Sequence, residues 1–79
     1  MPQPLYPEGA RWQGIEGTVK VNAVVNRKGR VVRTVIVQSV PLLDEQAASV
    51  VRRSEWKPAL NDGEPIEVWV EIPVRFALE

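Results

Sequence analysis

The sequence predicts a two-layer α+β sandwich: a three-stranded, mainly antiparallel sheet with one helix packed on one face and a short N-terminal helical turn. Two stretches, residues 18–26 and 66–78, alternate apolar and polar residues with period two, as half-buried strands do. Between them, residues 41–56 change to helical spacing. A sheet with one apolar face needs a covering layer, and the helix supplies it.

The first seven residues read as the end of a proline-rich linker, and residues 8–79 read as the domain. Pro2, Pro4 and Pro7 each bias the preceding residue towards extended geometry. Residues 7–13 are compatible with one or two helical turns that begin at Pro7 and stop at Gly14.

The first two strands form a predicted hairpin. Strand one buries the face that carries Val19, Val21, Ala23 and Val25. Residues 26–29 make the loop, with Gly29 in the left-handed region. In strand two, residues 30–39, both faces carry valine or isoleucine and Arg33 interrupts one of them, so the pattern leaves the buried face open.

The helix of residues 41–56 has an apolar stripe made of Leu43, Ala47, Val50 or Val51, and Ser54. Acidic residues lie in its first turn and Arg52 and Arg53 in its last, which complements the helix dipole. We expect the region of Ser39 or Pro41 to cap it and Pro58 to end it. Residues 61–65 form a turn in which Gly63 takes a positive φ.

Proline at position 73 predicts that the third strand, residues 66–78, is an edge strand in the order 2-1-3. Because proline has no N–H, its position is harmless only if odd-numbered residues point their backbone groups away from strand one. The N–H and C=O groups of Glu67, Trp69 and Glu71 then face an open edge. Such an edge is either merely protected, or accepts a partner's strand, or pairs with a second copy. Trp69, on the solvent face, either packs under the N-terminal segment or anchors a ligand.

Composition argues against catalysis and against nucleic acid as a partner. The chain of 79 residues has no histidine and no cysteine, and its 10 basic and 10 acidic residues balance. Glu67 and Glu71 are about 13 Å apart along a strand, too far for a two-carboxylate hydrolase. The sequence therefore predicts a protein that is not an enzyme and that takes no cofactor and no metal.

Several motifs in fixed order resemble the C-terminal domain of TonB-type energy transducers. They are QPLYP at 3–7, the EG before strand one, the G-x-V hairpin exit, the L-D-x-x-A-A helix start, W-x-P-A at 56–59 and I-P-V-x-F at 72–76. Ala23, where a larger aromatic is common, and the basic turn before Gly29 depart from the family pattern.

The resemblance implies a periplasmic domain of a protein anchored in the inner membrane, with the anchor outside this sequence. It implies that the TonB box of outer-membrane receptors adds as a strand beside the third strand, at residues Ile66, Glu67, Val68, Trp69, Val70, Glu71 and Ile72. It also implies that Gln3, Pro4, Tyr6 and Pro7 lie near that groove. An inner-membrane proton-motor complex would then drive pulling on the receptor for siderophore or vitamin import.

Two other hypotheses stay open. The same fold serves as a dimerisation or sensor module in a larger membrane signalling or peptidase protein, in which case a homodimer forms through the long edge. Alternatively, the domain is structural and its edge is only protected. For Tyr6, simple packing against the sheet is the alternative to a contact with the partner.

Overall fold

The computed structural model describes residues 4–78. In chain order the elements are α1 (Glu8–Trp12), β1 (Gly17–Val25), β2 (Val31–Gln38), α2 (Asp44–Arg53), β3 (Ala59–Asn61), β4 (Glu64–Ile66) and β5 (Val68–Phe76). An antiparallel sheet has the order β2-β1-β5, and α2 packs on β1 and β2. The predicted fold class and strand order are confirmed, with β5 as the predicted third strand.

The core lies between the sheet and α2. The inward residues of β1, Val19, Val21 and Ala23, have no exposed surface. The predicted helix stripe is confirmed, because α2 and the residues that flank it bury Leu43, Ala47, Val50, Val51 and Ser54. From β5 the core receives Ile72, Val74 and Phe76.

A β-bulge resolves the ambiguous faces of β2. Val24 pairs with Arg33 and Val25 pairs with Val31, so Val32 is an extra residue in β2. The side chains on either side of a bulge change faces relative to a regular alternation. Val31 therefore packs against the core with Ile36, whereas Val35 is exposed on the opposite face. A second register shift, between the Lys20–Gln38 and Val21–Ile36 pairs, makes the exposed Val37 an extra residue of β2 as well.

The helix is shorter than the predicted 41–56, and Ser39 does not cap its N–H groups. Leu42 has φ 70°, a left-handed residue that precedes the helix start at Asp44. The Asp44 carboxylate accepts hydrogen bonds from the Ser39 hydroxyl and from the Val40 N–H, the latter at 2.8 Å. The loop that precedes α2 is thus bonded to the side chain of Asp44, the first residue of the helix, and no side chain of the loop caps the free N–H groups of the first turn.

The N-terminal helical turn is confirmed as α1, five residues long, and Pro7 is its N-cap rather than its first residue. Gly14 follows it with φ 66°, as predicted for a terminating glycine. Ala10 is the buried residue of α1, and it joins the core.

The predicted third strand, residues 66–78, is too long at both ends. Pairing with β1 runs from Val68, opposite Val25, to Phe76, opposite Gly17. Ile66 belongs instead to β4, which pairs with β3 in a separate two-stranded sheet. Asp62 and Gly63, with φ 51° and 80°, make the tight turn of that hairpin.

Of the helices in residues 4–78, neither has the length and apolar character needed to cross a lipid bilayer.

Candidate functional site

The outer edge of β5 has no strand beside it among residues 4–78. Pro73 lies opposite Lys20 in the β1–β5 ladder, and the register continues without a shift through Asn22 opposite Glu71 to Val24 opposite Trp69. Because proline cannot donate, Pro73 must be a residue whose backbone groups face away from β1. Trp69 and Glu71 have the same parity, so their N–H and C=O groups also face the open edge.

The predicted site residues divide between three places in the structure. Trp69 and Glu71 lie on the edge with outward backbone groups. Val68, Val70 and Ile72 alternate with them and face the side of the sheet that carries α2.

The other two predicted residues lie before β5. Ile66 lies in β4 opposite Ala59. Glu67 lies between β4 and β5, beside the hairpin residues Asn26, Arg27 and Lys28. The structure therefore does not place Ile66 and Glu67 on the edge of the three-stranded sheet.

Trp69 lies on the outer face of the sheet, opposite α2, and is 55% exposed. The Arg33 guanidinium carbon is 5.9 Å from the centre of its ring, within range of a cation–π contact. Both residues pair with Val24, from opposite sides, which explains why Val24 is buried on a face that has no helix. Arg33 is thus a neighbour of the Trp69 ring on this face.

Glu71 projects from the same outer face and pairs with Lys20, with 3.8 Å between Nζ and Oε1. About half of each side chain is exposed, so the ion pair contributes little to stability. It does leave the outward backbone groups of Glu71 free.

On its other face, the first half of β5 borders an apolar groove of about 310 Å³, which we call the β5 groove. One wall is β5 itself, and the other is the segment that follows α2. Its lining includes Trp56, Lys57, Ala59, Val68, Val70 and Ile72. Glu71 and Pro73 also line it although their side chains point to the outer face, so the groove opens at the backbone edge.

The wall opposite β5 is held in place by the β1–β2 hairpin. The Trp56 N–H donates to the Gly29 carbonyl at 2.9 Å. Arg30 and Glu55 form a β-bridge and an ion pair with 3.4 Å between Nη1 and Oε1. The chain leaving α2 is thereby directed across the sheet towards β5, and a groove remains between them because α2 covers β1 and β2 instead.

Tyr6 is packed at the far end of β5. Its ring meets that of Phe76 edge-on, with 5.6 Å between centroids, and its hydroxyl donates to the Ile15 carbonyl. Desolvation, followed by the negative charge of Glu16, raises the pKa of the Tyr6 hydroxyl above its ordinary value of 10.0. Phe76 is seven residues beyond Trp69, about 23 Å along an extended strand, so the structure does not bring Tyr6 to the middle of the edge.

Of the other predicted N-terminal residues, Pro4 and Pro7 are half-buried near Tyr6, and Gln3 lies outside the described residues.

Comparison with known proteins identifies the family of this chain. The family model described as the Gram-negative bacterial TonB protein C-terminal region matches residues 2–78. The chain belongs to the TonB C-terminal family. A protein named TonB from Vibrio cholerae serotype O1 is 34% identical over 79 residues, which is 98% of this chain and 32% of that protein. This TonB-type domain thus spans about a third of the length of that relative.

Sequence reasoning missed one part of the site, the wall formed by Trp56, Lys57 and Ala59. The W-x-P-A motif marked these residues as part of the TonB pattern without indicating where they lie. Their position depends on the contact between Trp56 and Gly29, two residues that are 27 positions apart.

Proposed function

We propose that this domain binds the TonB box of outer-membrane receptors by adding the receptor peptide as a strand to the edge of β5. In this proposal the domain lies in the periplasm, belongs to a transducer anchored in the inner membrane, and passes on a pull driven by a proton-motor complex. The imported cargo would be a scarce nutrient such as a siderophore or a vitamin. Membership in the TonB C-terminal family supports this assignment.

One observation carries the proposal. The backbone groups of the alternate residues Trp69, Glu71 and Pro73 face an edge that has no neighbouring strand among residues 4–78. Unpaired backbone groups in a row are the template that strand addition requires. Each added hydrogen bond contributes only about 1 kcal/mol net. A peptide pulled along its length nevertheless loads these bonds together, so a modest affinity is compatible with resistance to force.

The N-terminal segment contributes at the far end of the edge in this proposal. Pro4, Tyr6 and Pro7, with Gln3 before them, belong to residues 1–7, the predicted end of a proline-rich linker. Because Tyr6 packs on Phe76, a strand that extended past Pro73 would approach this segment. The contact proposed for Tyr6 is therefore with the end of a long peptide and not with its middle.

Titration of the labelled domain with a TonB box peptide, followed by NMR, tests the proposal. We expect the amide signals of residues 68–72 to shift or broaden most. Shifts confined to α2, or none with peptides from several receptors, would contradict strand addition at β5.

Three substitutions separate the backbone role from the side-chain role. Trp69→Pro removes an outward N–H at a position with the parity of Pro73, so we expect a folded domain with at least about tenfold weaker binding. Trp69→Ala keeps that N–H and should lose less affinity. Val70→Pro removes an N–H that faces β1 and should destabilise the domain itself. Unchanged binding by folded Trp69→Pro would exclude this edge.

A further inference from the structure

The β5 groove lies where the inward side chains of an added strand would fall. Residues of a strand alternate between the two faces of its sheet. A peptide paired with β5 would therefore direct every second side chain towards the face that carries Val68, Val70 and Ile72. On that face the groove is open along the edge, as its contact with Glu71 and Pro73 indicates.

The second wall gives the groove its chemistry. Trp56 and Ala59 present apolar surface to it, and Lys57 is the one basic side chain in its lining. Lys57 makes no ion pair within 4 Å among residues 4–78. The volume, about 310 Å³, is at the lower end of the range for ligand sites and suits a few aliphatic side chains.

We propose that the β5 groove selects the peptide: it takes an extended segment with apolar side chains at alternate positions and an acidic residue beside Lys57. This inference rests on the proposed strand addition to β5. The backbone edge accepts any sequence, because its hydrogen bonds do not depend on side chains. The groove adds a requirement for apolar residues with period two, and Lys57 adds a requirement for charge.

An alanine scan of the receptor peptide that binds the domain tests the apolar requirement, with affinities measured by calorimetry. We expect losses of about tenfold at alternate positions over the stretch that covers residues 68–73, and less than about twofold at the positions between them. A scan without this alternation, for a peptide that still shifts the β5 amides, overturns the groove proposal and leaves strand addition standing. If no receptor peptide binds, the proposed function itself fails.

Filling the groove gives a second, independent measurement. Ala59→Leu adds an isopropyl group to the far wall. It should weaken peptide binding about tenfold and remove the alternation in the scan. Ala77→Leu makes the same change at an exposed residue outside the groove and should leave unchanged the affinity of a peptide that ends beside Pro73. The amide spectrum of each variant establishes that it is folded. Equal affinities for the two folded variants would count against the groove.

Charge reversal tests Lys57. Lys57→Glu should weaken binding several-fold at low ionic strength, with a smaller loss in high salt. Lys28→Glu, at the hairpin tip, changes the net charge equally and controls for the long-range field. If both reversals have the same effect on affinity, Lys57 does not contact an acidic residue of the peptide.

Discussion

Tyr6 is held at the end of β5 by two contacts of different kinds. Its ring packs edge-on against the ring of Phe76, and this contact depends on shape alone. Its hydroxyl donates a hydrogen bond to the Ile15 carbonyl, and this contact requires that the hydroxyl keep its proton. Glu16, the next residue along, faces the hydroxyl with a negative charge. The N-terminal segment is therefore fixed to the domain by a group that can ionise.

Tyr6→Phe should reveal the hydroxyl's contribution and its pH dependence. The variant keeps the ring contact and should have a lower free energy of unfolding than the wild type at neutral pH, because it loses the hydroxyl bond. Because the pKa is raised in the folded state, the contribution of Tyr6 is fully present below pH 10.0 and is lost as pH rises through the folded-state pKa.

Urea unfolding of both proteins between pH 8 and pH 11 measures this difference. The difference in unfolding free energy between the wild type and Tyr6→Phe should be constant below pH 10 and should shrink as the pH rises above it. A difference that stays constant across the whole range would mean that the hydroxyl bond to Ile15 is not coupled to ionisation.

At the scale of elements, the β1–β2 hairpin and the segment after α2 touch through Gly29. Its φ of 78° favours glycine, and a Cβ at this position would lie 1.8 Å from the Trp56 carbonyl oxygen. That approach is what allows the Trp56 N–H to reach the Gly29 carbonyl. The hairpin turn thus also sets the position of the far wall of the β5 groove.

Gly29→Ala and Gly63→Ala form a matched pair. Gly63 has nearly the same φ, 80°, but a Cβ there would meet nothing within 4 Å. Gly63→Ala should cost about 1 kcal/mol for the left-handed residue alone. Gly29→Ala should cost several times as much, because backbone atoms of Trp56 must also move. Equal losses in urea unfolding would show that the Gly29–Trp56 contact is dispensable.

Elements with one buried face were predictable, and each exception has its own physical cause. Alternation indicated β1 and β5, and helical spacing indicated α2. The faces of β2 could not be assigned, because the bulge at Val32 depends on pairing with β1. The β3–β4 hairpin was missed because three-residue strands are too short to show a period, although the Asp62-Gly63 pair is a strong hairpin signal.

For the site, the sequence indicated the edge but not the groove. Pro73 alone indicated which residues of β5 direct their backbone groups to the open edge, because the missing N–H of proline can be read from a single residue. The groove depends on a gap between β5 and a segment held by a distant hairpin, and no local pattern encodes that distance. For the same reason, the packing of Tyr6 on Phe76 was one of two alternatives until the structure placed both rings.

The molecule as a whole is elongated, with extents of 48 × 20 × 17 Å. Its nine-residue strands span about 30 Å each, more than either short dimension, so they run mainly along the long axis. A strand added to β5 would lie in the same direction. In the proposed function, the pull on the receptor would then act along the sheet and not across it.

If the domain binds a receptor peptide as proposed, a second copy and that peptide should compete for β5. Two β5 edges would pair through the same outward groups that the peptide needs. We expect any dimer seen by analytical ultracentrifugation to dissociate in excess peptide, and Trp69→Pro to remain monomeric. A dimer that persists with saturating peptide would place self-association on another surface, such as the exposed valines of β2, Val35 and Val37.

The unbroken β1–β5 register has a mechanical consequence. β5 is joined to β1 over nine residue pairs, whereas its open edge offers, beside the groove, only the outward groups of Trp69, Glu71 and Pro73. Under a load along the strands, the ladder between the peptide and β5 has fewer hydrogen bonds and therefore breaks at a lower force than the ladder between β1 and β5. In the proposed function, an overloaded connection would therefore release the bound peptide while the domain stays folded, ready to engage another receptor.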